Sequence, residues 1–482
     1  MLDPRPVGYL IGLLVAVLGI TMVPPMLIDL AAGQGHWQVF AQSAIVTTLC
    51  GVMVALSCHD TRNREMSTRQ AFMLTVGAWV VLPLFAALPF MLGATDARFV
   101  DALFEAMSGM TTTGSTVFTG LDEKPQGLLL WRGILQWLGG LGIIIVAMLF
   151  LPIMRVGGMQ FFKSEGFDTM GKTLPRAVDI SRALLGTYIA LTAICALTYA
   201  ALGMSGFDAT VHAMTSVSTG GFSTSDQSFG AFDSRLQYAA TLFMILGALP
   251  FVRLMMLASG RAGPLLRDFQ VQAFMVAVAA AVAAVIAIRL IQGEALREPL
   301  IREAMFNVVS IFTGTGYGAG DVTAWGAMAL VVLLTVGAIG GCTGSTGCSI
   351  KVFRYLVLLR VLVTQIRTIG HPNRVAVVRL GGKKLEPDVI ESVMLMFTMF
   401  ILTLGMMAVA LSLTGLPFLE SVTGAWTAIF NVGPAFGQMI TGSGALTHFN
   451  DAAKYIMVFG MLLGRLELIV VFVVMTRAFW RG

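Results

Sequence analysis

Hydrophobic positions in this chain neither alternate nor follow one helical face; they fill long blocks separated by short polar connections. A helix needs about 17 to 25 predominantly apolar residues to cross a bilayer. Ten blocks qualify, near residues 7–30, 37–57, 71–92, 127–152, 183–204, 236–258, 269–292, 324–360 with an interruption, 390–416 and 452–476. Four further apolar stretches are too short to cross: DALFEAMSGMTTT at 101–113, FDATVHAMTSVST at 207–219, IREAMFNVVSIFTGT at 301–315 and FLESVTGAWTAIFNV at 418–432. Each is expected to enter the membrane as a half-helix and return as extended backbone. Such backbone is tolerated at that depth only where it is buried or lines a water-filled path.

The order of full span, half-helix, turn and full span occurs four times, over 70–155, 180–262, 266–365 and 388–482, behind two leading spans within 1–60. The turns are TTTGST around Gly114, STGGFS around Gly220, TGTGYG around Gly316 and NVGPAFG around Gly433, so the central glycines lie 106, 96 and 117 residues apart. The expected fold is an all-α integral membrane protein: four pseudo-repeats of helix, pore half-helix, filter loop and helix around a central pore, plus two extra N-terminal transmembrane helices.

Four such turns suit one ion. A strand whose successive carbonyls all face inward must alternate between ordinary and positive φ, and glycine enters the latter without steric cost. Rings of such carbonyls replace the hydration shell of potassium, and half-helices pointing their C-terminal ends at the centre favour a cation there. The candidate potassium site therefore comprises Thr112, Thr113 and Gly114; Ser218, Thr219, Gly220 and Gly221; Thr313, Gly314, Thr315 and Gly316; and Asn431, Val432 and Gly433.

Composition agrees with a membrane protein: 56% hydrophobic residues, 12% charged and a mean hydropathy of +0.83 leave more apolar surface than a soluble core can bury. The first span lacks a small-residue cleavage site and is expected to be retained. Segments 58–70, 153–182, 253–268 and 351–389 and both ends hold 22 of the 31 Lys and Arg residues. By the positive-inside rule both termini are then cytoplasmic, with net charge +12 inside and −7 outside, an outer field that concentrates cations. Cys50, Cys58, Cys195, Cys342 and Cys348 have no metal-binding spacing and read as small core hydrophobes.

Taken together, these segments resemble the Trk/Ktr/HKT superfamily of potassium transporters, and within it the TrkH-type bacterial potassium-uptake subunits, over essentially the whole chain. The resemblance implies that Gly114, Gly220, Gly316 and Gly433 are the filter glycines; sodium-carrying relatives carry serine in the first repeat, so four glycines imply potassium. It further implies a bacterial inner-membrane homodimer, surrounded by lipid, controlled by a cytosolic nucleotide-binding TrkA-type ring. Neither an organic cofactor nor a nucleic-acid partner is expected.

The eighth block is broken by TVGAIGGCTGSTGCSI at 335–350, too rich in glycine for a stable helix at about 1 kcal/mol lost per glycine relative to alanine. A loop beneath the filter is expected, with a kinked, closely packed helix as the alternative. The resemblance makes it an intramembrane gating loop over 338–350, including Gly340, Gly341, Thr343, Gly344, Ser345 and Gly347. It also places Arg465, an arginine inside the last span, against that loop and in the ion path. The alternative is an Arg465 that caps carbonyls of a neighbouring repeat. Glu467 should point elsewhere on a helix.

One enzymatic pattern needs weighing. GFDTMGKT at 166–173 matches GxxxxGK[ST], but the phosphate-binding loop needs a preceding strand and following helix, for which this segment has no room. No other catalytic motif is present, and the chain is not expected to be an enzyme. A potassium/sodium or proton-coupled symporter remains open beside a channel, with a membrane-embedded enzyme as the alternative from another class.

Overall fold

The computed structural model describes residues 3–33, 35–61, 66–146, 177–371, 377–440 and 442–481. The leading hairpin is α1 (Arg5–Ile20), α2 (Val23–Ala31) and α3 (Trp37–Ser57), so the first expected span is two helices. The first unit contains α4 (Thr68–Ala86), a short α5 (Leu88–Leu92), the half-helix α6 (Phe99–Met110) and α7 (Gln126–Ile145). The second has α8 (Ala177–Ala201), half-helix α9 (Gly206–Val217), α10 (Ser234–Ala248) and α11 (Phe251–Ala258). After the one-turn α12 (Gly263–Leu266), the third has α13 (Phe269–Ile291), half-helix α14 (Glu298–Thr313), α15 (Gly326–Gly337) and α16 (Val352–Gly370). The fourth has α17 (Pro387–Leu413), half-helix α18 (Phe418–Phe430), α19 (Asp451–Arg465), α20 (Ile469–Met475) and α21 (Arg477–Arg481).

Among the described residues, seven helical stretches are long and apolar enough to cross a membrane, and two sharply bent pairs bring the number to nine. Most residues of α6, α9, α14 and α18 are buried, above all in their C-terminal halves, whereas α3, α13 and α17 leave large apolar side chains such as Met53, Val276 and Met406 exposed. The half-helices are thus the centre of the molecule, and the long helices present a lipid-compatible exterior.

Three expectations change. The span at 236–258 bends by 108° between α10 and α11, because Pro250 has no N–H to continue the ladder. The span at 452–476 bends by 112° at Glu467 and Leu468, which have φ of 60° and 55°, a backbone state costing about 1 to 3 kcal/mol per residue. The basic segment 351–389 is not one loop: residues 352–370 form α16, and a small hairpin pairs β3 (Arg379–Leu380) with β4 (Lys383–Lys384). The phosphate-loop-like pattern at 166–173 lies outside the described residues.

Candidate functional site

The four half-helices end in one recurring way. Chain reversal at a helix C-terminus is commonly made by a left-handed residue whose neighbour bonds five residues back. Here Thr113 N–H donates to Ser108 O (2.9 Å), Gly220 N–H to Thr215 O (2.8 Å) and Val432 N–H to Thr427 O (3.2 Å); in the third unit Gly316 N–H donates to Ser310 O (3.1 Å). Positive φ falls on Thr112, Thr219, Gly314 and Asn431, and again two residues later on Gly114, Gly221 and Gly316. A second recurrence spans seven residues: the hydroxyls of Ser108, Ser310 and Thr427 donate to the carbonyls of Ser115, Tyr317 and Pro434 at 2.5, 2.8 and 2.7 Å.

This register corrects one assignment. The residue of the second unit equivalent to Gly114 and Gly316 is Gly221; Gly220 sits one position earlier, level with Thr113, Thr315 and Val432. Gly114, Gly221, Gly316 and Gly433 all line a single cavity of about 640 Å³, which Gly220 does not line. Gly433 differs from the other three in lacking positive φ. A Cβ on Gly221 would run into Thr315 O, one on Gly114 into Gly220 O, and one on Gly316 would lie 2.7 Å from Gly433 N. Carbonyls of neighbouring units therefore crowd together at the cavity floor. Lateral bonds join the first and fourth segments: Ser115 Oγ to Gly433 O (2.8 Å) and Asn431 Nδ2 to Thr113 Oγ1 (2.9 Å).

The return strands are braced from behind by polar residues that sequence reading passed over. Glu105 accepts from Val117 N–H (3.1 Å) and the Thr116 hydroxyl; His212 Nε2 meets Ser223 Oγ (3.0 Å); Asn307 bonds both N–H and carbonyl of Ala319; Glu420 accepts from Met439 N–H (3.0 Å). The available signal was the strongly polar side chain inside each short apolar stretch, nine residues before Gly114, Gly221 and Gly316 in the first three units and thirteen before Gly433 in the fourth. Glu105 is also fully buried and paired with buried Arg132 at 2.8 Å, so acid and base leave the outer face together and its charge sum is unaltered. Removing one partner of such a pair costs about 3 to 5 kcal/mol, so Arg132→Leu should lower the thermal unfolding midpoint of the purified protein sharply. An unchanged midpoint would show the pair to be dispensable. The cavity keeps other acids, among them Asp226 and Asp321; the Thr323 hydroxyl and N–H hold the Asp321 carboxyl below its ordinary range.

At the opposite end of the four segments lies the glycine-rich loop. Its ends are pinned by the parallel pair β1 (Ile339–Gly340) and β2 (Ile350–Lys351). The bend after α10 frees carbonyls that the loop then satisfies: Cys342 N–H donates to Ala248 O (2.9 Å), Thr346 N–H to Gly247 O (3.2 Å), and Phe251 N–H donates back to Gly344 O (3.0 Å). Helix C-termini also leave unpaired carbonyls. The Thr346 hydroxyl reaches Val217 O at the end of α9 (3.0 Å), and the Ser349 N–H and hydroxyl both reach Phe430 O at the end of α18 (3.1 Å). Gly341, Thr343, Gly344, Ser345 and Gly347 are buried between them.

Arg465 lies against the loop and also caps a carbonyl of another unit. Nη1 lies 3.0 Å from Cys348 Sγ and 3.5 Å from Thr346 O in the loop, and Nη2 donates to Gly139 O of α7 at 3.0 Å. Its partners among the described residues are carbonyls and a thiol, with no carboxylate. Cys348 is thus more than core filling, since its Sγ also meets Thr112 Oγ1 at 3.3 Å. Glu467 sits in the bend rather than on a continuing helix and pairs with Arg354 of α16 at 2.6 Å. Lys351 donates to Gly347 O within the loop.

Four half-helices whose C-terminal turns meet at one polar cavity, set among helices long and apolar enough to cross a bilayer, define a multi-pass membrane protein. Residues 36–480 match the TrkH family model, described as a cation transport protein, and the chain belongs to that family. It is 39% identical over 480 residues to the Trk system potassium uptake protein TrkI of Halomonas elongata, covering 99% of this chain and 97% of the relative. It is 33% identical to the Trk system potassium uptake protein TrkH of Escherichia coli K12, covering 99% of each. The crystal structure of the potassium transporter TrkH from Vibrio parahaemolyticus superposes with a TM-score of 0.92 at 31% identity, covering all of both chains.

Proposed function

We propose that this chain is the potassium-selective, ion-conducting membrane subunit of a bacterial potassium uptake system. The observation that carries the reading is the convergence of Gly114, Gly221, Gly316 and Gly433 on the floor of one cavity, with the loop from β1 to β2 directly beneath. The four units at 70–155, 180–262, 266–365 and 388–482 surround the ion, whose ligands are the carbonyls of Thr112 to Gly114, Thr219 to Gly221, Gly314 to Gly316 and Asn431 to Gly433. The loop at 338–350 and Arg465 form the gate.

The cavity is the outer vestibule, the loop faces the cytoplasm, and both termini are cytoplasmic in the inner membrane. The homodimer and the TrkA-type regulatory ring rest on likeness to Trk systems. Docking of a soluble partner is supported by exposed Arg360, Arg367, Arg379 and Lys384 on α16 and the β3–β4 hairpin. The membrane-enzyme alternative has nothing to support it in a family of transport proteins.

Purified chain in proteoliposomes should pass potassium down its own gradient in preference to sodium, with a rate unchanged by an opposing proton gradient. Potassium movement that requires a proton or sodium gradient would replace the channel by a symporter. Absence of alkali-cation flux with or without its regulatory ring would overturn the proposal.

A further inference from the structure

The second unit departs from the first and third at one level. In those units the residue just before the filter glycine is a threonine whose hydroxyl pairs with the hydroxyl two residues earlier, Thr113 with Thr111 at 2.7 Å and Thr315 with Thr313 at 2.8 Å. The second unit keeps the earlier hydroxyl, Ser218, but has Gly220 at the threonine position. Gly220 does not have positive φ, so its backbone gives no reason for glycine. Space does: the three atoms nearest to a Cβ at Gly220 are all from the side chain of Gln136, its Cδ, Oε1 and Cβ.

Gln136 lies on α7 and is fully buried. Its Nε2 donates to Gly220 O at 2.5 Å and its Oε1 accepts the Phe222 N–H at 3.0 Å, so one amide holds the residues on both sides of Gly221. One helical turn earlier, Arg132 donates to Ser223 O at 2.8 Å and stacks 4.1 Å from the Phe222 ring. Together they fasten Gly220, Phe222 and Ser223 of the second segment to α7.

We propose that Gln136 is a specificity-determining residue, a side-chain amide that stands in for the threonine of the first and third units and sets the position of the Gly220 carbonyl. The inference rests on the filter reading above. Sodium is smaller than potassium, and a carbonyl ring accommodates it by closing inward; a carbonyl tethered from outside by an amide donor resists that closure. The field strength and freedom of the carbonyls both enter selectivity.

The test measures the potassium-to-sodium permeability ratio of the full chain in proteoliposomes. Loss of one neutral hydrogen bond changes an equilibrium by about threefold to tenfold, and Gln136→Leu should lower the ratio by that factor. Gln136→Glu keeps the shape and the acceptor for Phe222 N–H while losing the donor to Gly220, and should lower the ratio too; it is read in place of Gln136→Leu if the latter does not reconstitute. Gln136→Gly combined with Gly220→Thr clears all three of those atoms and restores a hydroxyl beside Ser218, so its ratio should lie above that of Gln136→Gly alone. A purely structural role for Gln136 would alter yield without producing this rescue. Wild-type ratios in Gln136→Leu and Gln136→Glu overturn the inference. Gly114→Ser separates the two levels: a lowered ratio there with unaffected Gln136 variants removes Gln136 alone, whereas an unaffected Gly114→Ser removes the filter reading itself.

Discussion

Gly221→Ala is expected to remove most potassium-over-sodium discrimination, with a fall in permeability ratio of about tenfold or more, since each 1.4 kcal/mol of lost preference is tenfold. Two effects combine. The residue has φ of +82°, a state costing an L side chain about 1 to 2 kcal/mol, and the added Cβ would collide with Thr315 O, a backbone atom of the neighbouring segment. Relief requires displacing a filter carbonyl. Gly114→Ser acts by the same route through Gly220 O and Thr315 O, and adds an oxygen near the ion. Gly260 has φ of +80° but nothing within 4 Å of a Cβ, so Gly260→Ala carries the backbone cost without the collision and should leave the ratio alone. Equal ratios for Gly221→Ala, Gly114→Ser and wild type, at wild-type flux, would take these glycines out of the ion path.

What the sequence disclosed follows from how local each signal is. Half-helix lengths and the apolar blocks are set by bilayer thickness, and α6, α9, α14 and α18 lie where the short stretches put them. Register within the turns is not local. STGGFS offers two adjacent glycines, and what distinguishes Gly220 from Gly221 is Gln136, more than eighty residues away. The left-handed Thr112, Thr219 and Asn431 were equally hidden, because non-glycine residues rarely adopt that state without tertiary support. Pro250 was a visible breaker of its span, and reading 236–258 as continuous overlooked it. The bend at Glu467 had no such marker; it accompanies an ion pair with Arg354, 113 residues earlier.

Arg465→Ala should raise potassium flux through the chain alone, without any cytosolic partner, by about tenfold or more. A unit positive charge several ångströms from a permeating cation opposes it by about 2 to 4 kcal/mol at an effective dielectric near 20. The side chain also ties the loop to α7, through Thr346 O and Gly139 O, so charge and tether must be separated. Arg465→Lys retains the charge but not the two-pronged reach. Low basal flux in Arg465→Lys would assign the block to charge; flux as high as in Arg465→Ala would assign it to the tether. Deleting 342–347 removes the groups that meet Gly247, Ala248 and Val217 and should open the same constriction while leaving the permeability ratio intact, because Gly114, Gly221, Gly316 and Gly433 lie at the other end of the segments. Combined with Arg465→Ala, the deletion should give less than the product of the single effects, since both act on one barrier. Wild-type basal flux in both folded variants would refute the gate and leave the filter standing.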